Sequence, residues 1–131
     1  MENTTQNPSK TFFIAMGTFW LLFGLIATFY PAAMNLYQTE AGIQAVTPYS
    51  NHIWQHDGFD ILSVSILLFA LSRASASRIM LRASAIVALL VFIAIVSSMT
   101  TTPYWNSMFI TPGLCCLGFS VWGFRLSTKA S

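Results

Sequence analysis

Long apolar runs with few charges constrain this chain more than any other feature. An α-helix needs about 20 mostly apolar residues to cross the hydrocarbon core of a bilayer. Four segments of the 131-residue chain approach this pattern, and we expect them to span the membrane: residues 11–30, 53–72, 83–99 and 106–124. The first run is longer than the apolar region of a signal peptide, so we interpret it as an uncleaved anchor. The predicted fold class is all-α, an integral membrane four-helix bundle.

The composition agrees with this interpretation. Charged residues make up 8% of the chain, whereas a soluble domain carries roughly a quarter. Such a chain would lack the charge that keeps a water-facing surface soluble, so we expect the lipid bilayer as its main partner. The small net charge of +2 gives no reason to expect nucleic acid. We therefore predict one transmembrane domain, residues 11–125, flanked by cytoplasmic tails of residues 1–10 and 126–131.

The basic residues predict how the helices are oriented. With four spans, every Lys and Arg falls on one side of the membrane: Lys10, Arg73, Arg78, Arg82, Arg125 and Lys129. Cytoplasmic loops carry the excess of Lys and Arg, so both termini are expected inside. The layout is similar in helix number and length to small four-helix bacterial membrane proteins such as the DoxX-like group, a similarity that implies no activity. We expect a multi-pass protein of the bacterial inner (plasma) membrane.

A polar stripe interrupts the second predicted span. His52, His56 and Asp60 follow one another at four-residue spacing, so they share one face of a helix, and Asp57 lies on its flank. The apolar part, Ile61–Leu71, is too short to cross the bilayer alone, so the helix must continue outward through these polar residues. Ionisable groups within a membrane usually face the interior of the bundle. We therefore expect Asp60 to face other helices.

Three interpretations fit this stripe. Asp60, Asp57 and His56 are candidate catalytic residues, because carboxylates and an imidazole exchange protons in acid–base catalysis. His52, His56 and Asp60 are candidate ligands of a divalent metal. A third interpretation is structural. The histidines are then hydrated at the membrane interface, and the negative charge of Asp57 is stabilised by the positive N-terminal end of the helix dipole.

The sequence leaves three functions open. The first is a membrane-embedded enzyme or carrier for a small or lipophilic molecule, with the His/Asp site near the extracytoplasmic end of the second helix. The second is a non-catalytic subunit, an assembly or immunity factor that binds a membrane protein partner. The third is a proton- or ion-coupled transporter that works as a homo-oligomer. Gly17, Gly24 and Thr28 share one face of the first span, which predicts close packing against another helix.

Overall fold

The computed structural model describes residues 7–74 and 76–130. Its helices are α1 (Pro8–Phe29), α2 (Glu40–Gln44), α3 (Pro48–Leu71), α4 (Arg78–Thr101) and α5 (Ile110–Ser127), with short 3-10 helices at Pro31–Tyr37 and Ser107–Phe109. No β-strand occurs in the described residues, which confirms the all-α prediction. Most of the predicted N-terminal tail, residues 1–6 of 1–10, and Ser131 of the C-terminal tail lie outside the described residues.

Three helical segments are long and apolar enough to cross a membrane. They are Pro8–Phe29, Arg78–Thr101 and Ser107–Ser127, which correspond to α1, α4 and α5 with the turn before it. Helix α3, which contains the predicted second span, is not among them. The first 13 residues of α3 include His52, His56, Asp57 and Asp60, and these polar residues lower the mean hydropathy of the helix.

Local sequence signals place the helix starts. The side chain of Asn7 accepts a hydrogen bond from the backbone of Ser9 at the start of α1. Thr47 and Ser50 form a reciprocal capping box at the start of α3. Pro48 occupies the first turn of α3, where its missing N–H costs nothing. Helix α3 therefore begins more than one turn before Ile53, and the whole polar stripe is helical.

Helices α1 and α3 form a tightly packed antiparallel pair. Small residues on both helices, among them Gly17, Gly24 and Gly58, let the two backbones approach each other. A Cβ built on Gly24 would lie 3.1 Å from the carbonyl oxygen of Gly58. Ser65 Oγ donates a 2.9 Å hydrogen bond to the carbonyl oxygen of Gly17, in the buried part of the interface. This close contact is the packing that the glycine face of α1 predicted.

Helices α4 and α5 form the second antiparallel pair, and α1 joins the two pairs through α5. A Cβ built on Gly123 would lie 3.0 Å both from Ala85 of α4 and from the ring of Phe12 of α1. The Phe12 ring also meets Trp122 edge to face, with 5.4 Å between ring centroids. The start of α1 and the end of α5 therefore lie at the same end of the molecule. The basic residues lie at this end: Lys10, Arg73, Arg78, Arg82, Arg125 and Lys129.

At the opposite end, hydrogen bonds tie the α1–α3 loop to the α4–α5 turn. Asn106 Nδ2 donates to the carbonyl oxygens of Leu36 and Gln38, at 2.8 and 3.0 Å. The backbone N–H of Thr39 donates to the carbonyl oxygen of Tyr104, and Thr39 Oγ1 donates to that of Pro103. These bonds hold the two helix pairs together where the helices themselves touch little.

Candidate functional site

A cavity lies between the two helix pairs. Helices α3, α1, α5 and α4 are arranged as a curved row, because α1 contacts α3 and α5 while α5 also contacts α4. Helices α3 and α4, both described over their full lengths, do not pack along each other. The concave side of the row holds a cavity of about 300 Å³, and the side between α3 and α4 is the one that no helix packing closes. The lining residues come from all four long helices and the adjoining turn: Phe19, Trp20, Phe23, Trp54, Asp60, Ile61, Val64, Val87, Val91, Ile95, Phe109, Pro112 and Cys116.

Aromatic side chains cover the end of this cavity that is remote from the basic residues, which we call its outer end. Trp54 of α3 meets Trp105 of the α4–α5 turn edge to face, with 5.9 Å between ring centroids. Trp105 stacks on Phe109 at 4.2 Å. The loop hydrogen bonds described above hold this turn in place. The cavity is therefore covered at the end where the polar residues of α3 lie.

The basic end of the molecule is closed by the core. Phe12, Phe13, Leu81 and Ala85 are fully buried there, and Met16 is nearly so. These side chains fill the space between the cavity and the basic helix ends. Apart from its covered outer end, the cavity is therefore reached sideways, between α3 and α4.

Asp60 is the one charged residue among the described residues that line the cavity. Its side chain is 74% exposed, so it stands at the rim of the opening and is less enclosed than its spacing predicted. The reason is the packing of α3: Gly58, Ser65 and Leu68 are buried, and this face lies against α1. A residue two positions after Gly58 is rotated about 200° from it, and Asp60 therefore points away from α1.

The contact between Gly58 and Thr28 gives the depth of Asp60. Thr28 is the last residue but one of α1, which ends at Phe29. A Cβ on Gly58 would collide with the backbone N of Thr28, at 2.6 Å. Asp60 follows Gly58 by two residues, so it lies only about 3 Å further along the helix axis. The polar cluster is therefore level with the outer end of an apolar, membrane-length helix.

His56, Asp57 and Asp60 form one cluster. One ligand atom of each lies within 4.8 Å of the others, and all three residues are exposed. The distance from His56 Nδ1 to Asp60 Oδ2 is 3.6 Å, which is longer than a hydrogen bond. Two carboxylates and an imidazole at this separation can attract a cation or exchange a proton with a bound molecule.

The predicted metal ligands His52, His56 and Asp60 are only partly brought together. His52 lies outside the three-residue cluster, and Asp57 takes its place. His52 and His56 instead line a shallow surface pocket with Thr28, Phe29, Gln55 and Phe59. Within the described part of the chain, no hydrogen bond orients the side chains of the cluster, although metal ligands are normally held by such bonds. A divalent metal at this cluster stays a sequence-based prediction.

The cavity itself was not predicted from the sequence. Its lining is almost wholly apolar, and so are the residues that face outward from the same helices, such as Leu67 and Leu90. In a lipid-facing chain, hydrophobicity does not separate the two faces. The nearest signal is the dense aromatic run of α1, in which Phe19, Trp20 and Phe23 all line the cavity.

Comparison with protein-family models, with curated proteins and with solved structures found no match to this chain. The class of protein therefore rests on its helices. Three segments long and apolar enough to cross a bilayer indicate an integral membrane protein.

Proposed function

We propose that this chain is a four-span membrane protein that binds a small lipophilic molecule in the cavity between its helix pairs. The observation that carries the proposal is the combination of a nearly apolar cavity of about 300 Å³ with a single carboxylate, that of Asp60, at its rim. Small-molecule sites are typically apolar clefts with a few polar groups that orient the ligand.

The fourth span of this proposal is α3. Helix α3 packs antiparallel on α1 from Leu68, which lies near Gly17, to Gly58, which lies near Thr28. If α1 crosses the bilayer, this contact carries the apolar segment of α3 into the bilayer beside it. The polar outer turns of α3 then reach the interface, where ionisable groups are less costly than at the centre. The one-sided Lys and Arg residues favour a cytoplasmic location for both termini.

The cavity opening supports entry of the ligand from the lipid. Helices α3 and α4 leave a lateral gap at the depth of the acyl chains, so a lipophilic molecule needs no aqueous path to the cavity. Asp60, Asp57 and His56 then hold the polar part of the molecule at the outer interface. The same three groups supply the carboxylates and imidazole that acid–base catalysis on a bound molecule requires. The function that we propose is binding; catalysis on the bound molecule would be an additional function of the same site.

Filling the cavity tests the proposal. Val91 lines the cavity, whereas the neighbouring Leu90 is 59% exposed and is not among the lining residues. Val91→Phe is therefore expected to abolish binding, and Leu90→Phe is the matched control that adds bulk to the same helix. The protein in lipid nanodiscs is titrated with a brominated long-chain alcohol, which quenches tryptophan on contact. Trp20 and Trp54 of the protein line the cavity, so a bound alcohol would quench them.

A saturable quenching component that survives Leu90→Phe and disappears in Val91→Phe supports the proposal. Unsaturable quenching that is identical in all three proteins overturns it.

The lateral gap also favours a second candidate, a non-catalytic subunit whose partner inserts a helix between α3 and α4. Apolar side chains line both sides of this gap, Val64 on α3 and Val87 on α4. Under this function, the isolated protein shows no saturable quenching, and Val91→Phe changes assembly with the partner. The titration therefore separates the two candidates.

A further inference from the structure

The charges of the molecule are separated along its length. All six Lys and Arg residues lie at one end of the bundle. The covered end of the cavity carries Asp57 and Asp60. A ligand whose polar group reaches the rim of the cavity therefore meets negative charge.

From this arrangement we propose that the ligand is an amphiphile with a cationic amine group and a single apolar chain or ring system. The inference rests on the proposed function, because it concerns the same cavity. It adds the sign of the charge on the ligand and the size of its apolar part.

The carboxylates of the cluster lack a permanently charged partner. Within the described residues, the one ion pair of Asp60 is with His56, whose Nδ1 lies 3.6 Å from Asp60 Oδ2. His56 carries charge only when it is protonated. Asp57 lies in the same cluster, with a ligand atom within 4.8 Å of the others. An ammonium group placed at the rim faces two carboxylates, whereas a carboxylate or phosphate head would be repelled by both.

Aromatic rings beside the rim favour the same charge. Trp54 lines the cavity on α3, the helix that carries the carboxylates. It contacts Trp105, with 5.9 Å between ring centroids. Tryptophan is the strongest aromatic partner of an ammonium group. The tryptophan rings can therefore stabilise the ammonium group of the ligand as well as its apolar part.

The size of the cavity limits the apolar part. A volume of about 300 Å³ lies at the lower end of the range for small-molecule sites. The space suits one chain or a small ring system better than the two chains of a phospholipid. The ligand class is therefore a lipophilic amine.

Three competitors with the same chain test the inference: dodecylamine, dodecanol and dodecanoate. Each is titrated against the brominated alcohol bound to the protein in nanodiscs of zwitterionic lipid. Dodecylamine is expected to displace the probe at about tenfold lower concentration than dodecanol, the equivalent of one charge-assisted hydrogen bond. Dodecanoate is expected to be weaker than dodecanol. Asp60→Asn should bring the amine and the alcohol close together, whereas Glu40→Gln, a charge removed outside the cluster, should leave their ratio unchanged.

The outcomes separate this inference from the proposed function. Equal displacement by the amine and the alcohol, or stronger displacement by dodecanoate, overturns the amine class while cavity binding stands. Absence of saturable probe binding in the unmodified protein overturns the proposed function itself. Because the amine-to-alcohol ratio is measured on the unmodified protein, the test does not depend on folding of Asp60→Asn.

Discussion

Replacement of Gly58 by alanine is expected to separate the α1–α3 pair. A Cβ at this position would collide with Thr28 Oγ1 and would lie 2.6 Å from Thr28 N and 3.0 Å from Thr28 Cα. Two of these three atoms belong to the backbone, so a change of side-chain rotamer cannot relieve the clash. Overpacking of this kind costs about 1–3 kcal/mol of stability.

The intrinsic helix preference of alanine works in the opposite direction. It favours alanine over glycine by about 1 kcal/mol in a helix interior. Gly118→Ala is the matched control, because a Cβ on Gly118 meets nothing within 4 Å. The difference between the two variants therefore isolates the clash with Thr28.

Reversible unfolding in mixed micelles, followed by circular dichroism, measures this difference. Gly58→Ala should be less stable than Gly118→Ala by about 1–3 kcal/mol, the cost of overpacking. Adding Thr28→Ala to Gly58→Ala should recover only part of the loss, because the backbone N of Thr28 remains in place. Equal stability of Gly58→Ala and Gly118→Ala would refute the close packing of α1 on α3.

Three further predictions concern orientation and stability. Ser50→Cys should react with a membrane-impermeant thiol reagent added outside and Ser77→Cys should not, because the basic end is expected to be cytoplasmic; the reverse labelling would refute the orientation. Asn106→Ala removes two hydrogen bonds to loop carbonyls and the one that Asn106 Oδ1 accepts from Met108 N–H. It should cost about 1–3 kcal/mol in the same unfolding assay, and an unchanged stability would mean that the loop does not join the helix pairs. Ser65→Ala removes the bond to Gly17 and should cost about 0.6 kcal/mol, the average for hydrogen bonds between membrane helices; a loss above about 2 kcal/mol would show that this bond contributes more than the average.

Much of the fold could be predicted from the sequence because membrane helices have simple rules. The apolar run of α1 predicted the helix, and its glycine face predicted close packing against another helix without identifying which one. The ends were less predictable, since Thr47 and Pro48 start α3 well outside the apolar segment. The start of α3 is set by helix capping and by packing on α1, and a hydropathy pattern does not predict either of these.

The candidate site was predictable only in part. The spacing of His56 and Asp60 brought their side chains to one face of α3, and the structure places the two near each other. The direction of that face depends on which residues pack against α1. His52 lies outside the cluster because it is about 12 Å from Asp60 along the axis of the same helix. Gly58 and Ser65 occupy the interface, so Asp60 lies at the rim of the cavity. Tertiary packing sets this rotation, and four-residue spacing alone does not contain it.

Photolabelling can locate a bound ligand within the lateral cavity. A long-chain alkyl amine with a diazirine in its chain is photolysed with the protein in nanodiscs, and the labelled residues are identified by mass spectrometry. We predict saturable labelling of Val64 and Val91, which line the cavity, competed by unlabelled amine. Labelling of Leu67 and Leu90, which are exposed on the same helices, should increase without saturation. Uniform, uncompeted labelling of all four positions would contradict binding in the cavity.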